Sequence, residues 1–166
     1  MRRLLALAAI LVAAVLLEST VLAGLRVAGV RPDLLVLAVV AVAMASGPTS
    51  GAAFGFAVGL VADLLFGLPV GVSALAYTAV GFAVGMVRVY VTSPHPVVHL
   101  GLVAAASLAS VWCTGLLLRV FDLSSWALVA RAGPLVALCN LLLAPFAYPV
   151  VRALLERVPA KPAEHW

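Results

Sequence analysis

Few side chains in this sequence are equipped for chemistry, and their surroundings limit what that chemistry can be. Glu18, Asp63 and Asn140 each stand in long apolar runs. A carboxylate in hydrocarbon costs a few kcal/mol or more, so it needs a partner, a proton or water. Glu18 and Asp63 fall at the same depth in an antiparallel set of spans, where they would form either an ion or proton site or partners for arginines. Arg26, Arg31 and Arg119 stand close enough in sequence to serve, and arginine pairing is the reading adopted. Asn140 is read as an interhelical hydrogen-bonding group rather than a ligand contact.

The other candidates point away from catalysis. His95 and His99 have the four-residue spacing of a helical metal pair, but Pro94 and Pro96 interrupt the segment and no third ligand is near in sequence. Cys113 and Cys139 lie singly inside apolar stretches, which excludes a disulfide framework and zinc spacing. Serines, histidines and aspartates occur without a nucleophile elbow, and glycines inside a span cannot cradle phosphate. No enzyme, cofactor or metal site is expected.

Glycine supplies the strongest pattern. Gly51, Gly55, Gly59, Asp63 and Gly67 recur every four residues, and Gly81 and Gly85 repeat the spacing further on. Four-residue spacing keeps these positions on one helix face, where small residues let a second backbone approach closely. That second backbone belongs either to this chain or to a partner; internal packing is expected for Gly55 and Gly59.

The elements that must carry these residues follow from composition. Of 166 residues, 66% are hydrophobic and 10% charged, with a net charge of +4. Soluble domains carry about 25% charged residues, and a small soluble fold leaves too much area exposed to hide this much apolar surface. The charge is too dispersed for a nucleic-acid footprint, since no basic cluster exceeds Arg2-Arg3. Uncharged stretches cover residues 34–62, 64–87, 89–118 and 132–151. A helix needs about 20 apolar residues to cross a bilayer core. Barrel strands would alternate apolar and polar residues, and Leu34–Met44 does not. The fold class expected is an all-α integral membrane protein, a six-helix bundle forming a single membrane domain over residues 1–166.

Proline suits the first position of a helix. With Pro32, Pro48, Pro69, Pro96 and Pro134 as markers, helices are expected at about 4–22, 32–46, 48–66, 69–89, 96–119 and 134–152. An interfacial stretch, Ser124–Ala132, precedes the last, capped by Ser124 or Ser125, and Pro145 and Pro149 kink that last helix. Val21-Leu22-Ala23 has the form of a signal cleavage site, but Glu18 just before it argues for retention of the first span. Arg2, Arg3, Arg88, Arg152, Arg157 and Lys161 outnumber Arg26, Arg31, Arg119 and Arg131, which places both termini in the cytoplasm.

One stretch has the order of a known pattern. Arg31-Pro32-Asp33-Leu34 is followed by Gly47, Gly51, Gly55-Phe56, Gly59-Leu60 and Asp63-Leu64-Leu65. The run Gly67-Leu68-Pro69-Val70-Gly71-Val72-Ser73-Ala74-Leu75 completes it. This resembles the rod shape-determining MreD family of bacteria, with the specific motif over residues 31–85 and agreement in length and basic N-terminus over the whole chain. The resemblance implies a non-enzymatic subunit of the cell-elongation machinery in the cytoplasmic membrane, beside MreC. It further implies links to MreB, to RodA and to a class B penicillin-binding transpeptidase. It also implies a fold similar to the substrate-binding S components of energy-coupling-factor vitamin transporters. The alternative function is therefore an S-component-like binding protein, for which Ala9 and Ala13 would stand in a docking motif.

Overall fold

The structure is a computed structural model that describes residues 2–20, 24, 32–90 and 96–156. Among these residues it holds helices α1 (Arg2–Thr20), α2 (Leu34–Ser46), α3 (Pro48–Phe66), α4 (Val72–Tyr90), α5 (Pro96–Val120) and α6 (Trp126–Glu156), and no strand. Four stretches are long and apolar enough to cross a membrane: Arg3–Thr20, Pro48–Phe66, Val98–Val120 and Trp126–Leu155.

α2 organises the rest. Its 13 residues span about 20 Å at 1.5 Å each, short of a hydrocarbon core about 30 Å thick. Ten consecutive residues, Leu35–Met44, are buried, and α2 touches all five other helices. A helix that is apolar on every side suits a protein core or a membrane span, and here its neighbours cover it. From sequence α2 is a short helix that tilts little, thins the bilayer or stops partway; the structure makes it the axis around which the others pack. α1 is its opposite: Leu4, Leu5, Val12, Leu16 and Leu17 are exposed while Ile10 and Ala14 reach the core, the pattern of a helix with most of its surface in lipid.

Besides α1, which starts at Arg2 rather than residue 4, three helix starts differ from the expected ones, each for a local reason. α2 begins at Leu34 rather than residue 32 because Asp33 caps it, its side chain accepting the Val36 N–H at 3.0 Å. α4 begins at Val72 rather than residue 69, since Pro69 lies in a turn closed by the Val72 N–H on its carbonyl at 3.2 Å, and Gly71 takes a φ of +106°. α6 begins at Trp126 and absorbs the expected interfacial stretch: the Ser125 hydroxyl takes the Leu128 N–H at 3.4 Å, and the helix runs 31 residues through Pro134, Pro145 and Pro149. Each proline removes one backbone hydrogen bond without ending the helix. α3 does start on its proline, Pro48, directly after the sharp turn at Gly47, whose φ is +91°.

Consecutive helices reverse direction, so the molecule has two polar ends. One gathers Glu18, Asp33 and Asp63; the other holds Arg3, Arg88 and Arg152. We refer to them as the acidic and basic ends.

Candidate functional site

The acidic end is built from carboxylates that hold helix starts. The first N–H groups of a helix have no intrahelical acceptor, and its N-terminus favours negative charge. At α2, Glu18 Oε2 accepts the Leu34 N–H at 2.8 Å, and Asp33 Oδ1 accepts that of Val36. The Asp33 N–H donates to Asn140 Oδ1 at 2.9 Å, and Tyr77 donates its hydroxyl to Asp33 Oδ2 at 2.9 Å. Asn140 Nδ2 then donates to the Ser107 hydroxyl at 2.9 Å. One network thus joins α1, α2, α4, α5 and α6 at the start of the buried helix.

Asp63 performs the same service for α4. It is fully buried, and its carboxylate accepts the N–H groups of Gly71 (2.8 Å), Ser73 (2.9 Å) and Ala74 (3.4 Å). Its own carbonyl accepts the N–H of Gly67 and that of Leu68, the latter at 3.1 Å, which closes α3. One residue ends a helix with its backbone and opens the next with its side chain. Of the arginines expected to pair with Asp63, Arg119 instead donates to the Ser124 carbonyl at 3.3 Å, and backbone donors take the carboxylate. Arg26 and Arg31 lie outside the described residues.

The glycines form the second part of the site. A Cβ built on Gly51 would stand 2.6 Å from the Gly81 carbonyl oxygen and 2.7 Å from the Ala43 Cβ. One on Gly55 would overlap the Tyr77 carbonyl, one on Gly59 the Ala74 Cα, one on Gly81 the Gly51 carbonyl and one on Gly85 the Pro48 Cα. The pairs 85/48, 81/51, 77/55 and 74/59 are successive levels of an antiparallel α3–α4 seam in which backbone meets backbone. Gly67 stands apart from this stripe: its φ is +67°, the left-handed helix end that glycine favours, and nothing lies within 4 Å of its missing Cβ.

Two cavities flank the Asp33–Tyr77 contact. One of about 240 Å³ is bounded by Phe66, Leu68, Ser73, Ser110 and Gly115, the other of about 350 Å³ by Glu18, Pro32, Phe66 and Val136. Their walls are largely apolar, and the carboxylates at their edges are already engaged with backbone N–H groups.

Tyr77, Ser107, Gly115 and Gly133 escape the sequence reading. The first two are single polar residues in apolar helices with no periodic mark. A Cβ on Gly115 would meet the Val129 side chain and one on Gly133 would stand 2.9 Å from Trp112 Nε1, a close α5–α6 approach that lacks the four-residue spacing. His99 stacks on Tyr148, while His95 and Val21–Ala23 lie outside the described residues. Among the described residues no three His, Cys, Asp or Glu side chains converge as metal ligands, and Cys113 and Cys139 are free thiols.

The chain matches the family model described as rod shape-determining protein MreD over residues 1–158. No curated protein and no solved structure matches it significantly. The chain belongs to the MreD family, which makes it a membrane protein concerned with rod shape.

Proposed function

Proceeding from that membership, we propose that this protein is a non-enzymatic scaffold of the rod-shape machinery. It binds MreC in the bacterial cytoplasmic membrane and, with RodA and a class B penicillin-binding transpeptidase, supports peptidoglycan synthesis and cell shape. Lipid is its other partner, and no nucleic acid is involved. The observation that carries the reading is the commitment of the acidic end. Glu18, Asp33 and Asp63 accept backbone N–H groups that open buried helices, so these acids work as structure rather than as a reactive or ion-conducting site. A rigid bundle that leaves α1 largely uncovered is suited to presenting helix faces to other membrane proteins.

The placement proposed has both termini in the cytoplasm, with the basic end inward and the acidic end outward, as the arginine distribution favours. The S-component-like alternative draws support from the cavities beside Asp33 and Tyr77. Against it, Tyr77 and Asp33 hydrogen-bond each other at the edge of these cavities, so neither is an unpaired recognition group there. Affinity purification of the tagged protein in mild detergent separates the two. Recovery of MreC is expected, whereas recovery of an energy-coupling transmembrane subunit without MreC would overturn the scaffold reading.

A further inference from the structure

Between the start of α5 and the last third of α6 lies an open groove of about 340 Å³, within the about 300–1,000 Å³ typical of small-ligand sites. It is at the basic end, far from the acidic caps. Among the described residues three polar side chains line it, His99 from α5 with Tyr148 and Arg152 from α6, and Leu100, Val103 and Ala144 give it an apolar wall. Tyr148 and Arg152 are four residues apart, hence on one helix face. The His99 and Tyr148 rings meet with centroids 5.1 Å apart at 59°, so each fixes the other's orientation. Pro145 and Pro149 also line the groove; neither has an N–H, so the α6 backbone on this wall lacks two of its donors.

These features have a joint chemical meaning. A guanidinium offers the planar, two-pronged donor that suits a phosphate, and a tyrosine hydroxyl and an imidazole beside it add donors. The apolar wall directly below suits the first methylenes of an acyl chain. Arg152 is exposed, while His99 and Tyr148 are half-buried, a gradation from wet rim to dry wall that mirrors a lipid molecule. Arg3 and Arg88 at the same end add positive potential. Basic pockets between membrane helices hold acidic headgroups by this combination.

We propose that the α5–α6 groove holds one anionic phospholipid, with its phosphate on Arg152, Tyr148 and His99 and one acyl chain along Leu100, Val103 and Ala144. The test is native mass spectrometry of the full chain in mild detergent with phosphatidylglycerol or phosphatidylcholine of identical acyl chains. A single phosphatidylglycerol is expected to be retained about tenfold better than phosphatidylcholine: both present a phosphate, but the choline cation of the latter would stand against the Arg152 guanidinium and cancel the attraction. Arg152→Gln should abolish that preference, whereas Arg152→Lys and Arg88→Gln should keep it. Equal retention of the two lipids overturns the proposal. So does an Arg88→Gln effect as large as that of Arg152→Gln, which would signal diffuse charge. Displacement by millimolar inorganic phosphate would reveal a free-anion site instead and also overturns it. Should Arg152→Gln fail to fold, Tyr148→Phe decides, because it keeps the ring against His99 and removes one donor: a lowered preference supports the site and an unchanged one overturns it. The measurement is made in micelles and is blind to orientation and to MreC, so its failure is separable from failure of the scaffold reading.

Discussion

A methyl group at Gly55 is the smallest perturbation that tests the α3–α4 seam. The Cβ of Gly55→Ala would lie 2.7 Å from the Tyr77 carbonyl carbon and 3.1 Å from the Thr78 nitrogen. Non-bonded carbons rest at about 3.5–4.0 Å, so α4 must retreat by about 0.8 Å or more at this level. The obstacle is backbone and cannot turn aside like a flexible side chain. A stiff helix carries the displacement to the levels of Gly51, Gly59 and Gly85, where a gap of about 0.5–1 Å forfeits about a quarter to a half of each dispersion contact. Overpacking of this kind costs about 1–3 kcal/mol, and the better helix propensity of alanine offsets up to about 1 kcal/mol. The expected net loss is about 0–2 kcal/mol for Gly55→Ala and about 3 kcal/mol for Gly55→Leu. Gly101→Ala is the control: nothing lies within 4 Å of its missing Cβ, so only the propensity gain remains. Thermal or dodecyl-sulfate unfolding of the purified protein, followed by circular dichroism, should rank Gly101→Ala at or above the parent and Gly55→Ala and Gly55→Leu successively below it. The packing argument fails if Gly55→Ala and Gly101→Ala are equally stable. A Gly55→Leu protein of unchanged stability that no longer recovers MreC would instead assign the stripe to a partner face.

Asp63→Asn keeps the size of the side chain but turns a donor toward the start of α4, and should cost about 1–3 kcal/mol in the same unfolding assay; a cost near zero would contradict the capping role. Tyr77→Phe leaves one Asp33 oxygen without its hydroxyl donor and should cost about 0.5–1.5 kcal/mol. Its effect should largely vanish in an Asp33→Ala background, and independent effects in the double-mutant cycle would break the proposed link between α2 and α4. Cysteines introduced at positions 2 and 165 should react only with membrane-permeant reagents in intact cells, and labelling from outside would refute the inward placement of the termini. Elemental analysis of the purified protein should give no stoichiometric zinc or iron; a signal lost on replacing His95 and His99 with alanine would establish the metal site that the prolines argue against.

The parts of the fold that were legible from sequence are those governed by period and composition. Glycine every four residues, set in an apolar run with no alternation, marks one face of a helix, here α3. The acids were harder to read because an isolated carboxylate in an apolar run has two inexpensive solutions, a cation or a helix N-terminus, and sequence distance favours neither. Asp63 shows what decides between them. The residues after it, Gly67 and Gly71, adopt positive φ and fold the chain back so that the first N–H groups of α4 arrive at the carboxylate. Asp33 illustrates the same point from the other side: Pro32 just before it draws attention as a helix start, yet the aspartate is the residue that accepts from the helix. α2 could not be distinguished from a crossing helix by hydropathy, since lipid and a protein core present it with the same solvent. Its length is the better discriminator. A helix of about 20 Å that ends at a carboxylate cap on one side and at a glycine turn on the other cannot present its ends to water across a full bilayer. It must be enclosed, and enclosing it is what brings α1, α4, α5 and α6 to the Asp33 network.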